Sequence, residues 1–327
     1  MIVNHLTESL GYTDDDRELL SSCRLCPREC GADRFSEASG YCRTDAGINV
    51  ASVVVHKGEE PAVSGPEGIC NVFFYGCNMR CIYCQNHQIS NPAAERSGSL
   101  NDLNDVADRI VKILDSGVPS VGFVSPSHVV PQVKLIIREL NRQGYRPVTV
   151  YNTNSYEKAY TIRQLDGLID VYLADFKYAE GEIAKKLSDT ADYPTVALKA
   201  IREMYFQKGS TLITDDEGRA VSGLIIRHLV LPGYADASIN AIRMIADEVS
   251  PGVTISLMSQ YYPAFRAEGE PDLGRSLEKE EYEKVRQECE KAGFRKGWYQ
   301  EQGSSRIYRP DFRRADPFAE EEGKAVK

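Results

Sequence analysis

Three cysteines at spacings of four and three residues follow a strongly apolar stretch of the chain. They are Cys77, Cys81 and Cys84, within the segment FFYGCNMRCIYCQN that spans 73–86. Thiolates on one loop are soft ligands for zinc or for an iron–sulfur cluster. A structural metal site is closed by four ligands, whereas a catalytic site keeps one position open for an external molecule. The spacing therefore predicts a metal centre with one open position, and a zinc site completed by a distant His or Cys is the alternative.

A second cysteine group lies nearer the start of the chain. Cys23, Cys26 and Cys30 belong to the segment CRLCPREC, and Cys42 follows after eleven intervening residues. Four thiolates complete a tetrahedral site, so a structural role is the first interpretation. The spacing does not distinguish zinc from a second four-iron cluster, and a second cluster could also relay electrons or anchor a substrate.

Composition and charge limit the class of protein. Of the 327 residues, 42% are hydrophobic and 27% are charged, which is typical of a globular protein with a substantial core. The formal charge of −9 argues against nucleic-acid binding, which needs clustered Lys and Arg. We expect a cytoplasmic protein, because no stretch reaches the ~18 apolar residues of a membrane span and the N-terminus lacks a secretion signal. Close-set cysteines there are metal ligands, whereas Cys70 and Cys289 stand apart and should be small buried residues.

Apolar, β-branched runs alternate with segments of helical periodicity from residue 70 onward. Each run is followed by a crossover of helical character, so the strands should form a parallel sheet. Six such units are fewer than a closed eight-stranded barrel requires. The sequence therefore predicts an α/β fold, a partial (β/α)6 TIM-like barrel. The six predicted strands span 70–76, 121–125, 147–152, 168–176, 222–231 and 252–259.

The predicted barrel has an extension at each end. Residues 1–69 would form an N-terminal extension: a short polar helix or arm over 1–20, and a Cys-rich metal-binding region with little regular structure over 21–69. Residues 70–327 would form the barrel and a C-terminal extension of helix and strand, in which Trp298 and Gln300 belong to a final strand at the barrel mouth. The charged tail PFAEEEGKAVK would be a solvated end.

Polar residues stand where the predicted strands end, at the edge where barrels and open parallel sheets carry their chemistry. Asp175 and Lys177 are two residues apart on one strand and so point to the same side. They offer a carboxylate and an ammonium to oppositely charged groups of a ligand, although a simple ion pair would also explain them. Ser125, Asn152 and Arg227 stand at the ends of three other strands, where loops also favour polar residues.

The segment CNMRCIYC resembles the signature of the radical S-adenosylmethionine superfamily, and within it the branch of the pyruvate formate-lyase activating enzymes and their uncharacterised relatives. The resemblance covers about 70–260 of the chain. It implies that Cys77, Cys81 and Cys84 hold a catalytic [4Fe–4S] cluster whose fourth iron is chelated by S-adenosyl-L-methionine. An electron passed into the sulfonium would then break a C–S bond and yield a 5′-deoxyadenosyl radical that abstracts hydrogen from the substrate.

The resemblance also assigns cofactor contacts on other strands. Asp175 and Lys177 match the D-x-K element that contacts the methionyl part of S-adenosylmethionine. Arg227, in IIRHLVLPGY, matches the arginine of the R-x-V-V-x-P-G strand. The expected cofactor-binding residues are Tyr83, Ser125, Asn152, Asp175, Lys177 and Arg227.

Two motifs depart from the pattern of the activating enzymes. YNTNSYE is similar to their D-T-N-G turn, but Asn152 replaces the aspartate and Ser155 the glycine. A monovalent cation site that depends on that carboxylate is therefore not carried over. GFVSPSHV stands where many members have G-G-E, and there Ser125 and Ser127 could either bind the methionyl ammonium or cap a turn fixed by proline. The chain thus resembles a divergent relative.

The resemblance implies partners as well. These are a low-potential electron donor of flavodoxin or ferredoxin type, and as substrate either a glycyl-radical protein or a small metabolite. Uncharacterised relatives of the activating enzymes carry a segment similar to CRLCPREC ahead of the barrel. Two other classes stay open, an iron–sulfur electron-transfer module and a zinc-stabilised interaction protein without turnover.

Overall fold

The computed structural model describes residues 10–96, 100–301 and 309–319. The first part of the predicted polar arm and the end of the predicted charged tail lie outside these ranges. Among the described residues, no helix is both long enough and apolar enough to cross a membrane.

A largely parallel sheet forms the centre of the molecule. Its described strands follow the order β1-β2-β3-β4-β5-β7-β8-β9, and β6 pairs with β7. The run from β2 to β9 along this path is parallel, whereas β1 is antiparallel to β2 and β6 to β7. The strands are β1 Val50–His56, β2 Ile69–Phe74, β3 Ser120–Val124, β4 Val148–Thr153, β5 Val171–Asp175, β6 Ile213–Thr214, β7 Ala220–Leu229, β8 Thr254–Met258 and β9 Gly297–Tyr299.

Ten α-helices in the described ranges connect or flank these strands. The helix Leu103–Leu114 shows how the sequence determines where a helix begins and which face it buries. The Asp102 side chain caps its first turn, and Val106, Ala107 and Ile110 recur at helical spacing and are buried. The helices are α1 Asp14–Ser21, α2 Pro61–Ser64, α3 His87–Ser90, α4 Leu103–Leu114, α5 Val130–Arg142, α6 Ala159–Arg163, α7 Gly181–Ser188, α8 Tyr193–Lys208, α9 Ala235–Glu248 and α10 Lys279–Lys291.

All six predicted strands are present as β2, β3, β4, β5, β7 and β8, and their parallel pairing is confirmed. Strands β2, β3 and β8 are buried along their whole length, as expected for a parallel sheet covered on both faces. The predicted final strand around Trp298 is β9, which lies parallel to β8. The described path of the sheet ends at β1 on one side and β9 on the other.

The prediction of little regular structure over 21–69 was wrong for its second half. The run VASVVVH forms β1, which pairs with β2 in the same sheet, and the short helix α2 follows it. Val63 of α2 packs in a small core with buried residues of four strands, among them Val150, Leu173 and Ile225. The composition of the surrounding Gly-, Pro- and Cys-rich region concealed this β-branched run, and the division of the chain at residue 69 stays a prediction.

Candidate functional site

A cavity of about 410 Å³ opens at the edge of the sheet where the parallel strands end. Its wall combines the three-cysteine loop, residues 77–84, with polar residues from four strand ends. All nine residues predicted for the cluster and the cofactor line it. They are Cys77, Tyr83, Cys81, Cys84, Ser125, Asn152, Asp175, Lys177 and Arg227.

The three-cysteine loop leaves β2 through Gly76, whose backbone has a φ of +81°. A side chain there would place its Cβ 2.4 Å from the carbonyl oxygen of Cys42, so only glycine fits this approach. Two residues after Cys77, the Met79 N–H donates to the Cys77 sulfur over 3.4 Å. A backbone N–H aimed at sulfur favours the thiolate, which is the form that binds metals.

A chain of hydroxyl groups ends at the middle cysteine. Ser188, the last residue of α7, donates its hydroxyl hydrogen to the Cys81 sulfur over 3.0 Å. The Tyr178 hydroxyl lies 2.6 Å from the Ser188 hydroxyl and also hydrogen-bonds the hydroxyl of Tyr83. Tyr83 therefore lines the cavity with its ring, while its polar end is held within the protein.

Burial disfavours ionisation of all three thiols. It raises the pKa of Cys77 to about 11 and that of Cys84 to about 12. Burial also raises the pKa of Cys81, and the Lys177 ammonium and the Ser188 hydroxyl oppose this rise only in part. Because ligating thiols must be deprotonated, binding of a positively charged metal group would compensate the buried charge.

The strand-end residues form a network of charges around Asp175, with side chains that are 12–17% exposed. Lys177 Nζ lies 2.7 Å from one carboxylate oxygen of Asp175, and Arg227 Nε lies 2.8 Å from the other. Burial alone would raise the pKa of Asp175, but the two cations outweigh burial and hold this pKa below its usual value. Asp175 is therefore ionised at neutral pH and neutralises part of the positive charge beside it.

The two cations differ in what they can still bind. Arg227 donates through Nε to Asp175, through Nη1 to Glu59 over 3.0 Å and through Nη2 to Asn152 over 2.7 Å. Among the described residues, the Lys177 ammonium donates to Asp175 alone, and it faces the cavity. Lys177 is thus the cation with hydrogen atoms left for an anionic ligand group, whereas Arg227 is engaged by the protein.

Sequence reasoning missed two carboxylates of this site, Glu59 and Glu60. Glu59 accepts hydrogen bonds from Arg227 and from the Asn71 amide, the latter over 3.0 Å. Glu60 is buried, and its Oε2 lies 3.9 Å from Arg227 Nη1 without a hydrogen-bond partner among the described residues. Burial raises the pKa of Glu60, and Arg227 opposes that rise.

These glutamates enter the site from the opposite edge of the sheet. The end of β1 at His56 pairs with the start of β2 at Ile69, so the connection that carries Glu59 and Glu60 begins at the amino edge of the parallel strands. A search for site residues only at the carboxyl ends of parallel strands therefore misses Glu59 and Glu60. The available signal was the acidic pair directly after the β-branched run VASVVVH.

Gly122 of β3 makes room for the amide that holds Glu59. It pairs with Asn71 of β2, and a Cβ at this position would lie 2.1 Å from the Asn71 side-chain oxygen. Because Asn71 is buried and bonded to Glu59, we expect Gly122→Ala to lower the free energy of unfolding by about 1–3 kcal/mol. Urea denaturation measures this, with Gly269→Ala as the control, since a Cβ there meets open space. Equal stabilities of the two variants would contradict the prediction.

In the two motifs that depart from the activating-enzyme pattern, backbone conformation and hydrogen bonds within the protein account for the serines. Ser125 adopts a φ of +51° and donates its N–H to the carbonyl of Asn152, which places it on the cavity wall. Ser127 is buried, and its hydroxyl donates to Glu157 over 3.1 Å instead of facing a ligand. Ser155, at the position of the expected glycine, keeps the left-handed conformation with a φ of +61°.

The second cysteine group lies at a separate, much smaller cavity of about 10 Å³. Its four cysteines all line this cavity, together with Arg34 and His128. Among the described residues, no three His, Cys, Asp or Glu side chains already stand in the arrangement that surrounds a bound ion. The four thiols share one small space, and ion binding there would require their side chains to turn towards its centre. These cysteines are Cys23, Cys26, Cys30 and Cys42.

Comparisons with known proteins give distant similarities. No protein-family model matches the chain. A protein of Methanocaldococcus jannaschii described as "Uncharacterized protein MJ0674" is 27% identical over 278 residues, which cover 84% of this chain and 76% of that protein.

Two solved structures of one protein are also similar, the first described as "Native anSMEcpe with bound AdoMet" and the second a histidine-tagged form of anSMEcpe, again with bound AdoMet. They are 14% and 15% identical, with TM-scores of 0.43 and 0.44. Each similarity covers 71% of this chain. The chain spans 59% and 56% of those two structures, less than two thirds of their length.

Proposed function

We propose that this chain is a radical S-adenosylmethionine enzyme in which Cys77, Cys81 and Cys84 hold a [4Fe–4S] cluster. One observation carries the proposal: the three thiols share a single cavity with the Asp175–Lys177 pair. Three thiolates leave one iron of such a cluster without a protein ligand. The space of about 410 Å³ beside them lies in the range of small-molecule sites. The sheet that frames this cavity would be the partial barrel expected from the sequence.

The residues present fit both groups. The three sulfur atoms are the soft donors that iron–sulfur clusters require, and Lys177 offers a cation to the carboxylate of an amino-acid ligand. When bound, the cluster and S-adenosylmethionine would supply the electron transfer and the carbon-centred radical for hydrogen abstraction. The protein would contribute placement, charge and exclusion of water.

Under this proposal, the polar residues of the cavity have separate roles in holding the ligand. Lys177 would hold the ligand carboxylate, and Asp175 fixes the position of the ammonium. Arg227 would act on the ligand through Asp175 and Asn152, both of which it holds in place. Among the other lining residues, Leu229, Met258 and Trp298 offer apolar surface that would keep water away from the reacting atoms.

The finer assignments remain predictions from the sequence resemblance. They are membership of the activating-enzyme branch, a flavodoxin or ferredoxin type donor, and a glycyl-radical protein or a small metabolite as substrate. The alternative of a plain electron-transfer module is disfavoured by one observation. Such a module needs no cavity of about 410 Å³ with a cation directed into it.

Ser188 should tune the electron affinity of the proposed cluster. Its hydroxyl donates to the Cys81 sulfur, and hydrogen bonds to cluster sulfur atoms raise the reduction potential by stabilising added negative charge. We therefore expect Ser188→Ala to make the potential more negative. An anaerobic redox titration followed by electron paramagnetic resonance measures the shift, with the exposed Ser116→Ala as control. A shift of the opposite sign would contradict this role.

Electron paramagnetic resonance of the reconstituted protein tests the proposed function. We expect the spectrum of the reduced cluster to change when S-adenosylmethionine is added, because the ligand would bind the open iron. Cys81→Ala should not assemble the cluster, whereas Cys289→Ala removes a buried thiol away from the cavity and should behave as wild type. If the cluster is fully assembled and its spectrum does not change when S-adenosylmethionine is added, the proposal is refuted.

A further inference from the structure

The cavity between the four N-terminal cysteines has room for one atom. Its volume is about 10 Å³, against about 410 Å³ for the cavity beside the three-cysteine loop. A space of this size accommodates about one water molecule or one ion. Three of its cysteines are buried, and Cys30 completes the set from the exposed side. A cube of four irons and four sulfides would need these walls to move apart.

A buried cation without a carboxylate partner stands beside the same sulfur atoms. Arg34 is 1% exposed, and its guanidinium donates to the His128 carbonyl, the Thr44 hydroxyl and the Asp45 carbonyl. None of these described partners carries a negative charge. A buried cation is costly unless an anion neutralises it. Arg34 Nε has no hydrogen-bond partner among the described residues, and Arg34 lines the same cavity as the four cysteines.

We propose that Cys23, Cys26, Cys30 and Cys42 bind a single zinc ion, with Arg34 as its buried counter-charge. Four thiolates and one zinc carry a net charge of minus two, which the guanidinium reduces by one. Zinc takes a closed tetrahedral set of sulfur ligands in structural sites, and a cavity for one atom suits it. This inference does not rest on the radical chemistry proposed above.

The zinc site would hold the three-cysteine loop in place. Arg28 lies between two zinc ligands in sequence, and its Nε donates to the Asn78 carbonyl over 2.9 Å. Its guanidinium lies 3.7 Å from the centre of the Tyr41 ring, and Arg80 lies 4.1 Å from the same ring. Asn78 and Arg80 both belong to the three-cysteine loop. Loss of zinc should therefore release this loop as well as the N-terminal region.

Metal analysis of the full-length protein tests the ion. After anaerobic purification, one zinc per chain should be present, should survive in Cys81→Ser, and should be lost in Cys26→Ser. Reconstitution with iron and sulfide should then add about four irons and leave the zinc in place. Eight irons without zinc, or one iron in its place, would overturn the proposal, as would failure to bind zinc when it is offered.

Arg34 provides a test that does not remove a ligand. Cobalt titrated into the metal-free protein reports a tetrahedral thiolate site through its visible absorption, and competition with zinc gives the zinc affinity. We expect Arg34→Leu to weaken zinc binding by about 10- to 100-fold, as for other groups behind metal ligands, and Arg34→Lys to retain most of the affinity. Equal affinities in Arg34→Leu and the wild type would overturn the counter-charge role.

Alkylation of the three-cysteine loop tests the coupling. In protein without a cluster, Cys77, Cys81 and Cys84 should react several-fold faster with iodoacetamide after a chelator removes the zinc. Arg28→Ala should speed the reaction while keeping its zinc, whereas Arg24→Ala, an exposed residue of the same segment, should not. Mass spectrometry of the labelled peptides gives the rates. Unchanged rates would refute the coupling, and the result is independent of any turnover.

Discussion

Replacement of Lys177 by methionine is expected to weaken binding of S-adenosylmethionine to the reconstituted protein by about tenfold to a hundredfold. The ammonium is the cavity cation with hydrogen atoms left after its bond to Asp175, and a hydrogen bond to a charged group contributes about 1.5–3 kcal/mol. Asp175 keeps Arg227 as its partner in the variant, so the protein should still fold. Equilibrium dialysis with labelled ligand under anaerobic conditions measures the affinity.

Two controls separate ligand binding from general damage. Lys199→Met removes an exposed lysine of α8 and should leave the affinity unchanged. Urea denaturation of Lys177→Met should show a transition close to that of the wild type. An unchanged affinity in Lys177→Met would mean that the ligand carboxylate is bound elsewhere, and Arg227 would then have to exchange one of its present partners for the ligand.

Replacement of Arg227 by methionine should mainly lower the free energy of unfolding, and it should affect ligand binding less. The guanidinium serves Asp175, Glu59 and Asn152 at once, and Glu60 lies next to it. Removal would leave buried carboxylates without their cation, which typically costs about 3–5 kcal/mol. The free energy of unfolding from urea denaturation at neutral pH measures this loss.

An exposed ion pair provides the matched control. Arg202 pairs with Glu248, and both side chains are about half exposed, so Arg202→Met should cost less than about 1 kcal/mol. If both arginine variants lost the same small amount of stability, the prediction that the network around Arg227 stabilises the folded protein would be wrong.

The pH dependence of the Arg227 variant has a definite sign. In the wild type the pKa of Asp175 is held below its usual value, so its contribution is present above that value and is lost as the pH falls through the lowered pKa. Burial already raises the pKa of Glu60, and Arg227 opposes that rise, so without Arg227 this buried carboxyl should be neutral, and better tolerated, at lower pH. The stability difference between variant and wild type should therefore shrink from pH 7 to pH 5.

The sheet could be predicted because its signals are local. Each parallel strand is a short β-branched run bounded by turn residues, as in VGFVS for β3, and the helical segments between them dictate parallel pairing. The strand-end rule then placed Asn152, Asp175 and Arg227 at one edge without any knowledge of tertiary contacts. The spacing of Cys77, Cys81 and Cys84 is likewise a local feature of one loop.

The rest depends on contacts between distant parts of the chain. Glu59 reaches Arg227 across 168 positions of sequence, and Ser188 reaches Cys81 across 107. Neither residue has a local pattern that marks it. Ser127 is a case that the sequence left open between a ligand contact and a turn cap, and in the structure its buried hydroxyl donates to Glu157. Which side chain faces a cavity is decided by packing that no single segment encodes.

Formation of 5′-deoxyadenosine is the most direct test of the central claim. The protein is reconstituted anaerobically with iron and sulfide, reduced with dithionite, supplied with S-adenosylmethionine and assayed by liquid chromatography and mass spectrometry. The account predicts 5′-deoxyadenosine from the wild type and from Cys289→Ala, and none from Cys81→Ala. A wild-type protein with its cluster fully assembled and reduced that yields no 5′-deoxyadenosine would contradict it.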